Sequence, residues 1–338
     1  MSGSDRFRWS GGRALGPVFM SVALALAACQ PLGEGQPEGS EPAASGGGGG
    51  TGRLSIATGG TGGVYFPLGG GLADLISENI EGYSATAEET NASVDNMNLI
   101  GSGDSDVAFV LGDTAADAVG GTGEFEGGAI DACALGILYT NFTQLVASSE
   151  SGIATVADLE GKRVSLGEAG SGTEIIGLRI LEAAGLDPDS DIDRAQLGVA
   201  ETVDALRDGT LDAGFWSGGL PTGALVDYAS TRDMVLVPTG EFVGDLQGTY
   251  GEYYLDSEIP ADVYEGQAEA IAVVGVPNVL VVNTSMDEGL QEQLTALLFE
   301  HKDDLVAVHP AAEELDQETA GDVAFMDVCP GAQTFYGS

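Results

Sequence analysis

Two long apolar runs constrain the architecture of this chain more than any other feature. They cover residues 134–148 (ALGILYTNFTQLVAS) and 271–283 (IAVVGVPNVLVVN) and lie among short apolar runs that alternate with helical patterns. Such alternation is typical of α/β units, and neither run has the ~20 residues that a membrane-spanning helix needs. Two extended segments that cross between two α/β blocks predict two lobes joined by a hinge, with a ligand cleft between them.

The predicted elements divide into two blocks. The first has strands at 54–57, 83–88 and 106–111 and helices at 64–79 and 93–101, the latter capped by Asn91 or Ser93, with an irregular excursion near 120–128. The second has strands at 163–166, 195–199, 211–216 and 234–237 and helices at 174–184, 201–208 and 222–230. Helices at 291–308 and from 311 onward are expected to end the chain.

The N-terminus has the pattern of an export signal. Three arginines (Arg6, Arg8 and Arg13) precede an apolar stretch at 14–28, which is too short to span a bilayer and ends in small residues. The segment Leu-Ala-Ala-Cys at 26–29 is similar to a bacterial lipobox, which predicts a lipoprotein signal peptide over 1–28 and lipidation of Cys29. The alternative is an ordinary cleavage site followed by a chance cysteine.

The expected mature protein lies outside the cytoplasm and touches the membrane only through this lipid. Residues 29–52 are rich in Gly, Pro and Glu, which predicts a flexible tether. The first lobe is assigned to 53–140, with 276–338 returning to it, and the second to 141–275.

The chain contains three cysteines. If Cys29 carries lipid, Cys133 and Cys329 remain as a pair in an oxidising compartment, and a disulfide between them is predicted. Two buried free thiols are the alternative.

The charge balance excludes whole classes of partner. With 53 acidic and 11 basic residues the formal net charge is −42. A field of this sign repels nucleic acids and anionic membrane surfaces.

Two loops share one design. ATGGTGGVYFPLGG (57–70) and LGEAGSGTEII (166–176) each connect a strand to a helix. Glycines allow a ligand to approach the backbone, and the free N–H groups at a helix start attract anions. Thr61, Ser171 and Thr173 add hydroxyl groups. Ordinary tight turns are the alternative, and two matching loops in separate lobes favour an anion site.

Patterns that indicate catalysis or cofactor binding are missing. The two histidines, His301 and His309, have no partners at metal-ligand spacing, no GK[ST] phosphate loop occurs, and no GxSxG elbow precedes a suitable histidine. We therefore expect no enzyme activity, no cofactor and no metal.

Four segments together resemble one family. TGGTGGVYFPLGGGLADLI, TNASVDNMNLIGSGDSDVAFV, SGIATVADLEGKRVSLGEAGSGTEI and ETVDALRDGTLDAGFWSGGLPTGALVDYA closely resemble the TAXI family of TRAP-transporter solute receptors. The resemblance covers residues 54–336. It implies a type II periplasmic-binding fold, a permease driven by an ion gradient, and a small organic anion such as glutamate or a dicarboxylate as ligand.

The resemblance also implies ligand contacts. In the first lobe they are Thr61, Gly62, Gly63, Tyr65, Asn91, Ser93 and Asp113, and in the second lobe Ser171, Gly172, Thr173, Trp216, Ser217 and Gly218. Trp216 is equally compatible with a core position. Relatives often carry Gln-Ser-Asp where this chain has Leu-Gly-Asp at 111–113. They often carry histidine at the position of Cys329, a change that agrees with a disulfide role.

The resulting hypothesis is a monomeric, lipid-anchored receptor that delivers its ligand to a TRAP permease. Three alternatives remain: the receptor of an ATP-driven ABC importer, a ligand-sensing domain for a signalling partner, and a secreted enzyme. A neighbouring gene for a TRAP permease, for an ATPase or for a kinase would indicate the TRAP receptor, the ABC receptor or the sensing domain, respectively. Turnover of a bound metabolite would indicate the enzyme.

Overall fold

The computed structural model describes residues 51–337, and the signal peptide, Cys29 and nearly all of the tether lie outside this range. The strands are β1 (Gly52–Ala57), β2 (Tyr83–Glu88), β3 (Val107–Leu111), β4 (Ala132–Ser148), β5 (Arg163–Ser165), β6 (Asp193–Ala195), β7 (Ala213–Gly218), β8 (Met234–Val237), β9 (Leu255–Ile259) and β10 (Ile271–Asn283). The helices are α1 (Tyr65–Asn79), α2 (Ser93–Ser102), α3 (Gly112–Gly120), α4 (Gly172–Ala183), α5 (Val199–Arg207), α6 (Gly223–Ala229), α7 (Val243–Thr249), α8 (Glu288–Glu300), α9 (Lys302–Val308) and α10 (Pro330–Tyr336).

The first lobe contains a sheet in the order β2-β1-β3-β10-β4. β1 pairs in parallel with β2 and β3, whereas β10 runs antiparallel to β3 and β4. All five residues of β3 are buried, as expected of a strand covered on both faces. One apolar cluster packs α1 and α8 on one face, and another packs α2 and α3 on the other.

β4 and β10 form the connection between the lobes. They pair antiparallel from Ala132 opposite Asn283 to Phe142 opposite Gly275. β4 then pairs with β7 and β8, and the first half of β10 pairs with β9. The lobe boundaries expected at 140/141 and 275/276 therefore fall inside two continuous strands, as a two-segment hinge requires.

The second lobe continues the sheet through β7, β5 and β6, which are parallel to one another. Helices α4 and α7 pack on one face, around Ile176, Phe215 and Leu246, and α5 and α6 pack on the other, around Leu206 and Leu225. The carboxyl ends of β1 and β5 each lead through a loop into a helix, and these two loops form the site described below.

Three predictions of local structure were wrong for identifiable reasons. Helix α3 was missed because GDTAADAVG has no large apolar residue, although Ala115 and Ala118 are fully buried. The expected strand at 195–199 ends at Ala195, because Gly198 already caps α5. Helix α2 begins after Ala92, with no side-chain cap, since the Ser93 hydroxyl accepts the N–H of Leu111 at 3.1 Å instead.

The C-terminal region also differs from the prediction. The expected helix at 291–308 breaks at His301 into α8 and α9. Leu298 and Leu305 are both buried and lie seven residues apart, which is the spacing of one face of a continuous helix. The apolar pattern therefore does not indicate the break. Beyond it, Pro310–Glu314 forms only a 3-10 turn, and helix resumes at Pro330, where proline is tolerated at the first helical position.

Cys133, in β4, and Cys329, just before α10, form a disulfide that closes a separation of 196 residues. It attaches the C-terminal helix to the sheet of the first lobe. Within residues 51–337 no helix is both long enough and apolar enough to span a bilayer.

Candidate functional site

A cavity lies between the lobes, where the loops after β1 and β5 face each other. Its walls come from both loops, from the start of α2, from the middle of β4 and from the end of β7. The lining residues are Gly59, Gly60, Gly63, Val64, Tyr65, Ala92, Ser93, Leu111, Tyr139, Asn141, Glu168, Ser171, Gly172, Thr173, Trp216, Ser217 and Gly218.

The start of α1 provides free backbone donors. Val64 precedes the helix and caps it with no side-chain hydrogen bond. Among the described residues, the N–H groups of Val64 and Tyr65 have no hydrogen-bond acceptor, although both residues line the cavity. Unpaired N–H groups at a helix start carry a partial positive charge, so this wall of the cavity favours negative ligand atoms.

The start of α4 repeats this arrangement in the second lobe. The Ser171 hydroxyl caps the helix by accepting the N–H of Glu174 at 3.1 Å. The N–H groups of Gly172 and Thr173 have no acceptor in the described part of the chain. The Thr173 hydroxyl accepts the N–H of Ser217 at 3.2 Å, which fixes the loop against β7.

Side chains behind the α4 loop hold its shape. One carboxylate oxygen of Glu174 accepts the N–H of Gly170 at 2.8 Å, and the other accepts hydrogen bonds from Arg194 and Gln196. Charge-assisted bonds of this kind are stronger than neutral ones. These hydrogen bonds of Glu174 hold the backbone of the loop in place.

The lobes approach each other so closely that only glycine fits at two positions. A Cβ on Gly172 would lie 2.5 Å from Leu111 Cδ1, and a Cβ on Gly63 would lie 2.9 Å from the Trp216 ring. Across the same gap the carbonyl of Gly170 accepts the N–H groups of Val94 and Asp95, at 3.1 and 3.3 Å. This is a closed conformation, in which groups of the second lobe complete the start of α2.

Several polar atoms in the cavity walls have no partner. Five buried side-chain N or O atoms lack a hydrogen bond within residues 51–337, and three of them, Tyr139 Oη, Asn141 Oδ1 and Ser217 Oγ, belong to lining residues. A buried polar group without a partner costs about 1–3 kcal/mol. Polar ligand groups that pair with these atoms would recover that free energy.

Glu168 is the one charged residue among those that line the cavity. Burial, reinforced by repulsion from Glu201 and Glu89, raises the pKa of its carboxyl group to about 6. In the described part of the chain its side chain has no hydrogen-bond donor, and a Cβ on Gly60 would lie 3.1 Å from its Oε1. This carboxylate of the second lobe thus reaches the glycine loop of the first.

Nine of the sequence-predicted contact residues lie together in the cavity wall. They are Gly63, Tyr65, Ser93, Ser171, Gly172, Thr173, Trp216, Ser217 and Gly218. The other four do not line it. Thr61 and Asn91 are exposed, Gly62 faces Val199 of α5, and Asp113 lies in a separate buried network.

Sequence reasoning missed Tyr139, Asn141 and Glu168. Tyr139 and Asn141 lie on β4, where two polar groups inside an apolar run were a usable signal. Glu168 lies within the LGEAGSGT loop, where one acid among the chain's 53 acidic residues could not be singled out.

Asp113 joins the two lobes on the far side of α4 from the cavity. Its carboxylate accepts the Tyr254 hydroxyl at 3.0 Å and lies 3.7 Å from the Arg179 guanidinium. Arg179 also contacts Asp117 at 2.5 Å. Burial raises the pKa of Asp113, and the nearby guanidinium opposes that shift. The network secures α4 of the second lobe to α3 of the first.

No group of three or more His, Cys, Asp or Glu side chains within the described residues is placed to hold a metal ion.

Several solved structures share this architecture. PhnD1 from Prochlorococcus marinus, in complex with methylphosphonate, is 10% identical, with 77% of this chain and 90% of that chain covered and a TM-score of 0.52. The periplasmic aliphatic sulphonate binding protein SsuA from Escherichia coli is 17% identical, with 78% and 79% covered and a TM-score of 0.43. A putative L-cystine ABC transporter from Listeria monocytogenes is 15% identical, with 78% and 94% covered and a TM-score of 0.45.

The likeness to PhnD1 confirms the predicted type II periplasmic-binding fold, with two α/β lobes. At these identities it says nothing about the ligand. The NMT1-like family matches residues 56–337, which is most of the sequence, and this chain belongs to that family.

Proposed function

We propose that this chain is an extracytoplasmic solute-binding protein that captures a small organic acid between its lobes and delivers it to a membrane transporter. One observation carries the proposal. The starts of α1 and α4, one in each lobe, have unpaired N–H groups on residues that line the same cavity. The family match, the fold and the export signal at 1–28 support it.

The arrangement couples binding to closure. A carboxylate between the two helix starts accepts hydrogen bonds from both lobes at once, and only the closed state offers both sets of donors. A ligand that binds one conformation better shifts the population toward it. The closed protein would then present a surface made by both lobes to the transporter.

The resemblance of four segments to TAXI receptors favours a TRAP-type permease as partner. The lipid at Cys29 and the tether at 29–52 would keep the receptor beside that permease. An ABC importer is the alternative, because binding proteins of both transporter classes share this fold. Co-purification with the product of a neighbouring permease gene, or of a neighbouring ATPase gene, distinguishes the two.

Substitution of Thr173 by aspartate tests the site. The new carboxylate would lie in the first turn of α4, beside the ligand's own carboxylate. Two like charges 4 Å apart repel by about 4 kcal/mol at an effective dielectric constant of 20, so we expect affinity to fall at least 100-fold.

Native mass spectrometry and a thermal-shift screen of amino acids and dicarboxylates would first identify a carboxylate that binds the purified protein. Titration calorimetry of that compound with T173D is the measurement. Thr210→Asp is the matched control, since Thr210 is exposed on the second lobe and away from the cavity. Equal affinities of the two variants would place the ligand elsewhere.

A further inference from the structure

The charge of the cavity restricts the ligand further than its shape does. The helix starts supply donors without a net charge, and no Arg or Lys is among the lining residues. Glu168 adds a full negative charge at neutral pH. Glu201 and Glu89 lie close enough to raise the pKa of Glu168, and the whole chain carries −42. A dicarboxylate would therefore add two negative charges to a site that already has one and holds no cation.

One of the unpaired atoms of the cavity, Asn141 Oδ1, also calls for a hydrogen-bond donor on the ligand. Asn141 Oδ1 has no partner within the described residues and, as a carbonyl oxygen without hydrogen, can only accept. The amide nitrogen of the same side chain donates to the carbonyl of Ser217 at 3.3 Å. Asn141 is 2% exposed, so no bulk water reaches it. Together with the Glu168 carboxylate, the cavity thus offers acceptors that need N–H or O–H groups from the ligand.

We propose that the ligand is an α-amino acid with an uncharged side chain, whose ammonium group is bound by the Glu168 carboxylate while its carboxylate occupies the helix starts. The proposal rests on the proposed function and narrows it. A zwitterion adds no net charge to the cavity, and its two charged ends match the two kinds of wall.

The pH dependence of binding follows from the same carboxylate. The charged groups that face Glu168 are Glu201 in the first turn of α5 and Glu89 at the start of the loop after β2, and both oppose its ionisation. With a pKa of about 6, Glu168 is ionised at pH 7.5 and mostly protonated at pH 5. An amino acid keeps its own two charges over that range. We expect affinity to fall about tenfold from pH 7.5 to pH 5.

Calorimetry with matched probe pairs tests the proposal. L-alanine, L-serine and L-glutamine are compared with the 2-hydroxy acids in which a hydroxyl replaces the amine, and L-glutamine is also compared with L-glutamate and glutarate. The protein variants are Glu168→Gln and the control Glu160→Gln, which removes the same charge from an exposed position of the second lobe. Thermal unfolding checks that both variants fold.

We expect a neutral amino acid to bind the wild-type protein at least tenfold more tightly than its hydroxy acid and than L-glutamate or glutarate. E168Q should bind the amino acid about 10- to 100-fold more weakly than the wild type and the hydroxy acid as tightly as the wild type. E160Q should bind both compounds with wild-type affinity. If E168Q does not fold, the pH dependence of wild-type binding and the comparison of the probe pairs still test the proposal.

Two results would overturn the proposal, and they are distinguishable. If hydroxy acids or dicarboxylates bind the wild-type protein as tightly as amino acids, and T173D abolishes that binding, the carboxylate site stands and the ammonium site is refuted. If no carboxylate binds, or T173D binds unchanged, the proposed function fails and the amino-acid ligand fails with it.

Discussion

Replacement of Gly172 by alanine tests whether closure of the lobes depends on the bare backbone at the start of α4. Gly172 lies at the first position of that helix, where alanine adopts the same backbone conformation without strain. The added methyl would meet Leu111 Cδ1 at 2.5 Å and Ser93 Oγ at 2.8 Å, both across the cleft. An open conformation would not contain either contact.

The size of the effect follows from this overlap. Carbon atoms prefer separations of about 3.5–4.0 Å, so the methyl overlaps its neighbour by about 1 Å. Leu111 is 2% exposed at the end of a buried strand, and its N–H is held by the Ser93 hydroxyl. Overpacking of this kind costs about 1–3 kcal/mol, and a coupling of that size corresponds to a loss of about 5- to 150-fold in affinity.

The matched control is Gly177→Ala on the same helix. A Cβ there would lie 3.5 Å from Phe215 Cγ, which is an ordinary contact, and alanine improves helix propensity. Calorimetry with the tightest carboxylate of the screen measures affinity. Trp216 is the one tryptophan within residues 51–337, and its position beside Gly63 makes its fluorescence a reporter of closure.

We expect G172A to bind weakly and to lose the ligand-dependent change in Trp216 fluorescence, with its unfolding free energy close to that of the wild type. Affinities of G172A and G177A that agree within twofold would show that the two lobes do not close on each other at this residue. The account of the cleft given above would then be incorrect.

Two further predictions concern the contacts that hold the lobes and the C-terminus in place. Arg179→Met leaves Asp113 and Asp117 without their guanidinium partner, and breaking a buried pair in this way costs about 3–5 kcal/mol of unfolding free energy. Urea unfolding measures this free energy, and a decrease below 1 kcal/mol would contradict the buried network. Joint replacement of Cys133 and Cys329 by alanine should lower the unfolding free energy by about 2–5 kcal/mol, because the crosslink closes a separation of 196 residues; an unchanged denaturation midpoint would contradict that expectation.

Local sequence patterns were sufficient to predict some elements of the fold and not others. β2, β8 and β10 begin and end at the residues predicted from the sequence. For β10 the reason is that a strand buried on both faces needs a continuous apolar run. Helix α3, made of alanine, glycine and small polar residues, left no such pattern. Its burial depends on α2 and β10, which lie nearby only in the folded chain.

Some parts of the candidate site could likewise be predicted from the sequence, and others could not. The two glycine loops were visible because their composition departs from that of the elements around them. Glu168 could not be distinguished from other acids, and Asp113 was assigned by resemblance although it lies in the network with Arg179. Which acid reaches the cavity depends on how the lobes meet, and no local pattern records that.

The sequence by itself determined the class of architecture, the two α/β blocks, the hinge segments and the glycine loops at two helix starts. These follow from residue periodicity and from the backbone freedom of glycine, which are local properties. Only the tertiary structure decided that the two helix starts face one cavity, that Tyr139, Asn141 and Ser217 leave polar atoms unpaired there, and that Glu168 is the charge within it. These depend on contacts between residues far apart in the chain, and a contact across a cleft exists only once both lobes have formed.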